Sequence, residues 1–285
     1  MTQFDAIVIG GGLVGAAIGY GLVRDGFKVA VVDEGDIAFR ASRGNFGLVW
    51  VQSKGLGAPH YQRWTRLSAE EWPALAAELG ERTGISVGLE QPGGLQLCLG
   101  EEELEKRRAM MEQMRREAGN FGFEYRMLDR SELAGIFPGL GASVAGASWT
   151  PYDGHANSLN LLHAVHKGFG ERGGTYLPGR TVIEAHAAPH DFRLEFAGET
   201  IVAPKVVLAA GLGNAKLAPL FGLLAPVRPQ RGQILVTERT NRLWPLPLGS
   251  LRQTQECTIM LGSSEEDVGF DTGQKPAIID RKSVV

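Results

Sequence analysis

The residues best suited to chemistry stand at the amino terminus, where Gly10-Gly11-Gly12-Leu13-Val14-Gly15 has the spacing G-x-G-x-x-G. Glycines so placed let the backbone come close to a diphosphate. The first permits a tight turn, the second a close approach to the phosphates, and the third close packing of helix on strand. A helix opened by such a turn offers free N–H groups and a partial positive charge to an anion. Asp33 follows Gly15 by 18 positions, with Glu34 beside it. A carboxylate about 20 residues beyond the glycines can accept hydrogen bonds from a ribose. Turn, flanking elements and acid together point to a dinucleotide. Cys98 and Cys257 are the two cysteines and lie far apart, so they make neither a disulfide framework nor a metal cluster.

Those residues need a strand before them and a helix after them, and both are legible. Phe4 to Ile9 is an apolar run that reads as a buried strand, an Ala/Gly-rich helical stretch follows Gly15, and Lys28 to Val32 reads as the next strand. Gly26 closes the helix in the manner of a left-handed C-cap. Glu34 to Pro59 is a long, glycine-punctuated connection, ordered by Phe46, Leu48, Val49 and Trp50. Helical periodicity runs from Tyr61 to about Glu81 with Trp64, Leu67, Trp72, Leu75 and Leu79 on one face. Ser68 and Glu71 have capping-box spacing, so Pro73 either restarts or kinks that helix.

The pattern then turns to α+β. Strands are expected at Ile85 to Leu89, Gly94 to Leu99, Glu124 to Leu128 and Ala142 to Trp149, with a charged helix from Glu101 to Ala118. A helix from Leu159 to Glu171 precedes strands at Thr181 to His186, Phe192 to Phe196 and Lys205 to Ala209. Val206-Val207-Leu208-Ala209 has the unbroken apolar character of a central parallel strand and ends in a second glycine junction, Ala210-Gly211-Leu212-Gly213-Asn214. Strand character returns at Gly232 to Thr237 and Glu256 to Leu261. There are no internal repeats. The fold class read from this order is α/β: a Rossmann-type nucleotide domain (1–83 and 151–225) interleaved with a strand-rich α+β substrate domain (84–150 and 226–279), followed by 280–285 as a non-native tail.

Composition excludes several alternatives. The chain has 285 residues, 44% of them hydrophobic and 21% charged, and a net charge of -3. There is no basic excess for nucleic acid. No apolar run approaches the roughly 20 residues that span a bilayer. No signal peptide precedes the first strand, so a cytoplasmic location is expected, without excluding peripheral membrane association.

The chain resembles the FAD-dependent oxidoreductases of the D-amino-acid oxidase type, which include glycine and sarcosine oxidases. The resemblance is carried by Gly10, Gly12, Gly15 and Asp33, by Arg40 to Gly47, Asp153-Gly154-His155, Thr181-Val182 and Val207 to Gly213. Gly44 to Trp50 and Arg228 to Gln233 look most like the branch of opine oxidase, hydrogen cyanide synthase and hydroxyproline dehydrogenase flavin subunits. The resemblance implies FAD, with Gly10, Gly12, Leu13, Val14 and Gly15 at its pyrophosphate and Asp33 and Glu34 at its ribose. It places Ser42, Arg43 and Asn45 along the phosphates toward the isoalloxazine, Val182 at the adenine, and Ala210 and Gly211 at the flavin linker. Ser42 and Asn45 also suit turns that satisfy their own backbone, Arg40 and Arg43 solvated loop positions, and Val182 a plain core position. His155 is a candidate catalytic group on the substrate side, although a satisfied structural histidine is the commoner role. Trp50, Tyr61 and Trp64 suit a substrate pocket or, more commonly, a core.

The implied reaction is oxidation of an amine or of an imino or amino acid: hydride passes from the carbon bearing nitrogen to flavin N5, and the imine hydrolyses. Two alternatives stay open, a nicotinamide-dependent dehydrogenase and a non-catalytic or electron-relay subunit with partner subunits in a heteromeric dehydrogenase. Asp280-Arg281-Lys282-Ser283-Val284-Val285 reads as the translation of a common sequencing adapter. A truncated frame is therefore expected, with genuine sequence ending near Ile279. Relatives continue into a glycine-rich stretch by the flavin ring and, in several, an arginine for the substrate carboxylate. Weak FAD binding or poor folding is the expected result for the shortened chain.

Overall fold

Two apolar tetrapeptides, Ala6–Ile9 and Val29–Val32, are buried at every position, as strands covered on both faces must be. The computed structural model that shows this describes residues 2–35, 41–137, 139–262 and 264–277. Arg40 and the 278–285 ending lie outside the described residues.

In chain order the first half comprises β1 (Thr2–Gln3), β2 (Ala6–Ile9), α1 (Leu13–Arg24), β3 (Val29–Val32), β4 (Leu48–Val49), α2 (Pro59–Thr83), β5 (Gly94–Leu99), α3 (Glu101–Ala118), β6 (Arg126–Asp129), α4 (Arg130–Ile136) and β7 (Val144–Thr150). The second half comprises β8 (Gly154–His155), α5 (Ser158–Glu171), β9 (Thr175–Leu177), β10 (Glu184–Ala187), β11 (Phe192–Phe196), β12 (Glu199–Ala203), β13 (Val206–Leu208), α6 (Asn214–Leu217), β14 (Leu235–Arg239), β15 (Leu251–Gln253) and β16 (Thr258–Leu261).

Three layers build the nucleotide half. A parallel sheet of order β13-β2-β3-β9 lies in the middle. Alternate residues divide its faces, because strand side chains point up and down in turn. Val8, Val29 and Val31 pack with Ala16 and Tyr20 of α1 and Leu161, Val165 and Phe169 of α5. Ile7, Ile9, Ala30 and Val32 pack with Leu194, Phe196, Ile201 and Ala203 of a second sheet, β1-β12-β11-β10. Tyr20 donates to Glu78 Oε1 at 2.5 Å and Arg172 to the same carboxylate at 3.0 Å, tying α1 and α2 to the end of α5.

The strand-rich half has antiparallel sheets β5-β7-β6 and β14-β16-β15, joined by an isolated parallel bridge between Leu95 and Leu248. Helix α3 lies on β7 and β5 and buries Leu104, Met111 and Met114. No helix among the described residues is long and apolar enough to cross a membrane.

Several expectations need correction. Of the two readings at Pro73 the restarted helix fails and the continuous one holds; α2 runs unbroken to a left-handed Gly84. Ser68 does not cap it either, because its hydroxyl donates back to Trp64 O at 2.9 Å. The Trp64 side of the stripe is exposed, at 69% for Trp64, while Leu79 is buried. Ile85 to Leu89 forms no strand. β13 lies at an edge of the described sheet and not at its centre, and its residues are half-buried. Thr175–Leu177 is a sheet strand that its half-polar sequence hid.

Phe169 is 1% exposed, and Gly174 and Gly19 make room for its ring; a Cβ at Gly174 would lie 2.3 Å from it. Phe169→Ala should cost about 3–5 kcal/mol, since the ring leaves a cavity that rigid strands cannot close. Denaturant unfolding measures this, and a loss under about 1 kcal/mol would contradict the packing described.

Candidate cofactor site

Gly10 ends β2 with φ +113°, a conformation that L side chains avoid. A Cβ there would lie 2.4 Å from Ala209 O, and one on Gly15 would lie 1.9 Å from Gly10 O. Close packing thus requires both glycines before any ligand is considered. Helix α1 starts at Leu13 with Gly12 as its N-cap and no capping side chain from that residue. Ser42 supplies the cap from 29 residues away, accepting from Leu13 N at 2.8 Å. Val14, in the first turn, is 66% exposed. The first N–H groups of any α-helix lack intrahelical acceptors, so this end remains suited to anionic oxygens.

Asp33 is buried at the end of β3 and grips the turn. Its Oδ2 accepts from Gly11 N at 2.7 Å and its Oδ1 from Gly35 N at 3.0 Å. A carboxylate accepts hydrogen bonds on both oxygens, which is what a ribose hydroxyl requires of its partner. Glu34 is exposed next to it. On the opposite side His166 of α5 meets Gly11 O at 2.7 Å through Nε2. A carbonyl only accepts, so Nε2 carries the proton. His166 and Tyr176 meet edge-on at 4.8 Å, and a Cβ on Gly11 would strike the Tyr176 ring at 2.9 Å.

The second glycine junction arrives beside the first because β13 pairs with β2 in parallel. Ala210 N donates to Asn214 Oδ1 at 3.1 Å, and Gly211 opens a 3₁₀ turn at φ +56°. Val182 packs with Ala210 against the same apolar cluster. Gly10, Gly12, Leu13, Val14, Gly15, Asp33, Ser42, Ala210 and Val182 are therefore gathered around one end of the parallel sheet. Arg43 is half-buried in the turn over residues 41–44. Asn45 closes its own turn, Oδ1 accepting from Gly47 N at 2.7 Å, while its carbonyl accepts from Ser158 Oγ at 3.0 Å.

His155 lies in β8, antiparallel to Leu48, and is buried. Burial above all, then the nearby Arg252 guanidinium, pushes its pKa down to about 4 against a partial pull from Glu90, so its imidazole is neutral at neutral pH. Arg252 lies 3.4 Å from Nδ1 by its Nη1 and donates from Nε to Phe46 O. Asp153, fully buried, is pushed the other way, up to about 7, by desolvation that its donors from Val51 and Gln52 only partly offset.

Sequence reasoning missed His166, Tyr176, Arg252 and the contacts of Asp153 with Gln52. The hydrogen-bond partners of His166, Arg252 and Asp153 stand from 97 to 206 positions away, and no local spacing records such pairs. Asp153 stood within a quoted motif, yet nothing in the motif assigns it a partner.

The chemistry of this end is that of a dinucleotide cradle: two glycines that any side chain would block, a capped but exposed helix start, and a buried carboxylate beside the turn. FAD fits it. Known proteins point the same way. The family described as FAD dependent oxidoreductase (DAO) matches residues 5–281. A subunit of opine oxidase from Agrobacterium tumefaciens (strain Ach5) is 44% identical over 278 residues, covering 98% of this chain and 75% of the relative. The crystal structure of glycine oxidase from Geobacillus kaustophilus superposes with a TM-score of 0.87 at 26% identity, covering 97% of this chain and 75% of that one. L-proline dehydrogenase from P. horikoshii shares the fold, with a TM-score of 0.84 at 22% identity over 99% of this chain and 75% of that one. The nicotinamide alternative falls with these matches.

The two buried titrations have opposite signs. Asp153, raised from 3.8 to about 7, contributes stability that is complete below 3.8 and lost as pH rises through about 7. His155, lowered from 6.5 to about 4, contributes stability present above 6.5 and lost as pH falls through about 4. Asp153→Asn should therefore gain stability relative to the wild type as pH rises across that window, read by urea unfolding at several pH values. A pH-independent difference would show that Asp153 is not the buried acid described. By family match, by fold and by the cradle itself, the chain belongs to the FAD-dependent oxidoreductases of the DAO family.

Proposed function

We propose that this chain holds FAD with its diphosphate against the Gly10–Gly15 turn, and that it oxidises an amine or an imino or amino acid at the carbon bearing nitrogen. The observation that carries this reading is the turn itself, fixed by Asp33 and Ser42 from two separate segments. Asp33, with Glu34 beside it, would take the ribose. Ser42, Arg43 and Asn45 would follow the phosphates toward the ring, Val182 would bracket the adenine, and Ala210 and Gly211 would approach the linker.

FAD, when bound, supplies the acceptor for the hydride that leaves the substrate carbon, and the resulting imine hydrolyses in water. The protein's share is orientation and exclusion of solvent. A neutral His155 fits this division, since it can hold a hydrogen bond without competing for a proton near neutral pH. Arginine and backbone N–H groups suit the diphosphate because both donate without ever accepting.

The likeness to an opine oxidase component supports a substrate of the opine class, a secondary amine between carboxylated arms. It also supports a place within a heteromeric enzyme. A second reading follows from that likeness, in which this chain relays electrons inside a complex and the amine is bound by a partner.

Anaerobic mixing of the FAD-loaded protein with glycine, sarcosine, D-amino acids, D-hydroxyproline and opines separates the two. Loss of flavin absorbance with one of these amines and the isolated chain is the expected result. No loss with any of them, followed by loss once the partner subunits are added, would transfer the chemistry to the complex.

A further inference from the structure

The long segment after Asn45 is held at both ends by buried ionisable side chains, one basic and one acidic. At its start, Arg252 on β15 is 4% exposed, donates from Nε to Phe46 O, and packs so near Gly47 that a Cβ there would lie 2.9 Å from Nη2. Gly47 O in turn accepts from Ala156 N at 2.8 Å. At its end, Asp153 is fully buried and takes Val51 N on Oδ1 at 2.5 Å and Gln52 Nε2 on Oδ2 at 2.6 Å. Gln52, also fully buried, uses its amide completely. Nε2 reaches Gly94 O at 3.1 Å as well, and Oε1 accepts from Arg107 Nη2 at 2.5 Å and Ser148 Oγ at 2.6 Å. Arg107 Nε closes the ring of contacts on Ser148 Oγ at 2.7 Å.

Burying ionisable groups linked only through neutral polar side chains is costly, and well-packed apolar residues would serve stability as well or better. Such a set is suited to fixing one geometry, because each member has a single satisfied arrangement. What lies between the two ends is Trp50. Its indole leaves the cofactor-side segment and enters a slot in the strand-rich half. A Cβ on Gly94 would lie 2.6 Å from the ring, and one on Gly249 would lie 3.5 Å from it. Gly94 makes the slot, whereas at Gly249 it is Gln96 that a side chain would strike, the indole being in ordinary contact. The ring is half-buried, neither core nor free surface.

We propose that Trp50 is a wall of the substrate side of the flavin cleft, and that Asp153 and Arg252 are positioning residues that set which amines it admits. The inference rests on the functional reading above and deepens it. Among the described residues, Asp153 and Arg252 make no hydrogen bond to the Gly10–Gly15 turn. They act through the backbone of residues 46–52 and hence through the indole. Their loss should alter discrimination between small and bulky amines while the flavin stays bound.

The test is a double-mutant cycle on the FAD-loaded protein, using kcat/KM for a small amine (glycine or sarcosine) and for a bulky N-substituted amino acid such as an opine. Trp50→Ala should change the ratio of the two, and Asp153→Ala should change it in the same direction. The double variant should fall short of the product of the single effects by about tenfold, since Asp153 has nothing left to position once the indole is gone. Arg252→Lys, which keeps the charge but not the fork, should give a smaller shift of the ratio and the same flavin absorbance as wild type. If Asp153→Ala does not fold, Gln52→Leu removes the same link and enters the cycle in its place. Multiplicative effects would overturn the positioning role, as would variants that lower the thermal midpoint and leave the ratio unchanged. If wild type reacts with no amine in either the isolated or the assembled state, the functional reading fails and takes this inference with it. Reaction of wild type combined with a multiplicative cycle defeats this inference alone.

Discussion

The carboxylate of Asp33 is the interaction on which the rest of the cofactor end depends. It stands at the exit of a strand buried on both faces and takes the Gly11 N–H on one oxygen and the Gly35 N–H on the other. Its own backbone joins β9 through Leu177 and the next turn through Arg180. The glycine turn is thereby locked to two neighbouring strands before any ligand arrives. His166 holds the same residue from the helix side by donating to Gly11 O. A turn gripped from both sides loses little freedom on binding, which is how preorganisation favours affinity.

The seam between the two halves follows a different logic. The nucleotide half is closed by aliphatic packing on two faces of one sheet. The strand-rich half meets it through an apolar cluster of Val49, Val51 and Ala69 with Met111, Met114 and Phe123, and through directional polar contacts added to it: the Asp153–Gln52–Arg107 set on one side and Arg252 with Phe46 O on the other. Apolar surfaces tolerate small slides, whereas a fully paired amide such as Gln52 does not. The chain spends its directional interactions where a cofactor and a substrate would have to be brought into register.

Much of this was legible in the amino-acid sequence, and the reasons are local. Gly10 to Gly15, the apolar strand before it and Asp33 after it form one contiguous supersecondary unit, so spacing alone reports the geometry. The helix at Glu101 to Ala118 and the strand at Phe192 to Phe196 were readable for the same reason. What escaped was long-range or context-dependent. Ser68 and Glu71 had the spacing of a cap, but tertiary packing carried the helix through them and through Pro73. Val206 to Leu208 had the composition of a central strand, yet hydrophobicity does not encode a strand's rank within its sheet. Trp64 looked like core on periodicity and is exposed, while Trp50 found a slot because of a glycine, Gly94, that stands 44 positions further on. Tyr176 and His166 carry no motif at all.

The most direct measurement is equilibrium titration of the apoprotein with FAD, followed by flavin fluorescence, for the wild type and for Gly12→Asp. A Cβ on Gly12 would lie 2.9 Å from Ser42 Oγ, and the added carboxylate would face the diphosphate. Saturable one-to-one binding is expected of the wild type, with a loss of about a hundredfold or more in the variant, a shift of about 2.7 kcal/mol. Equal affinity of the two proteins for FAD would contradict the cradle described, because the diphosphate would then rest somewhere other than the start of α1.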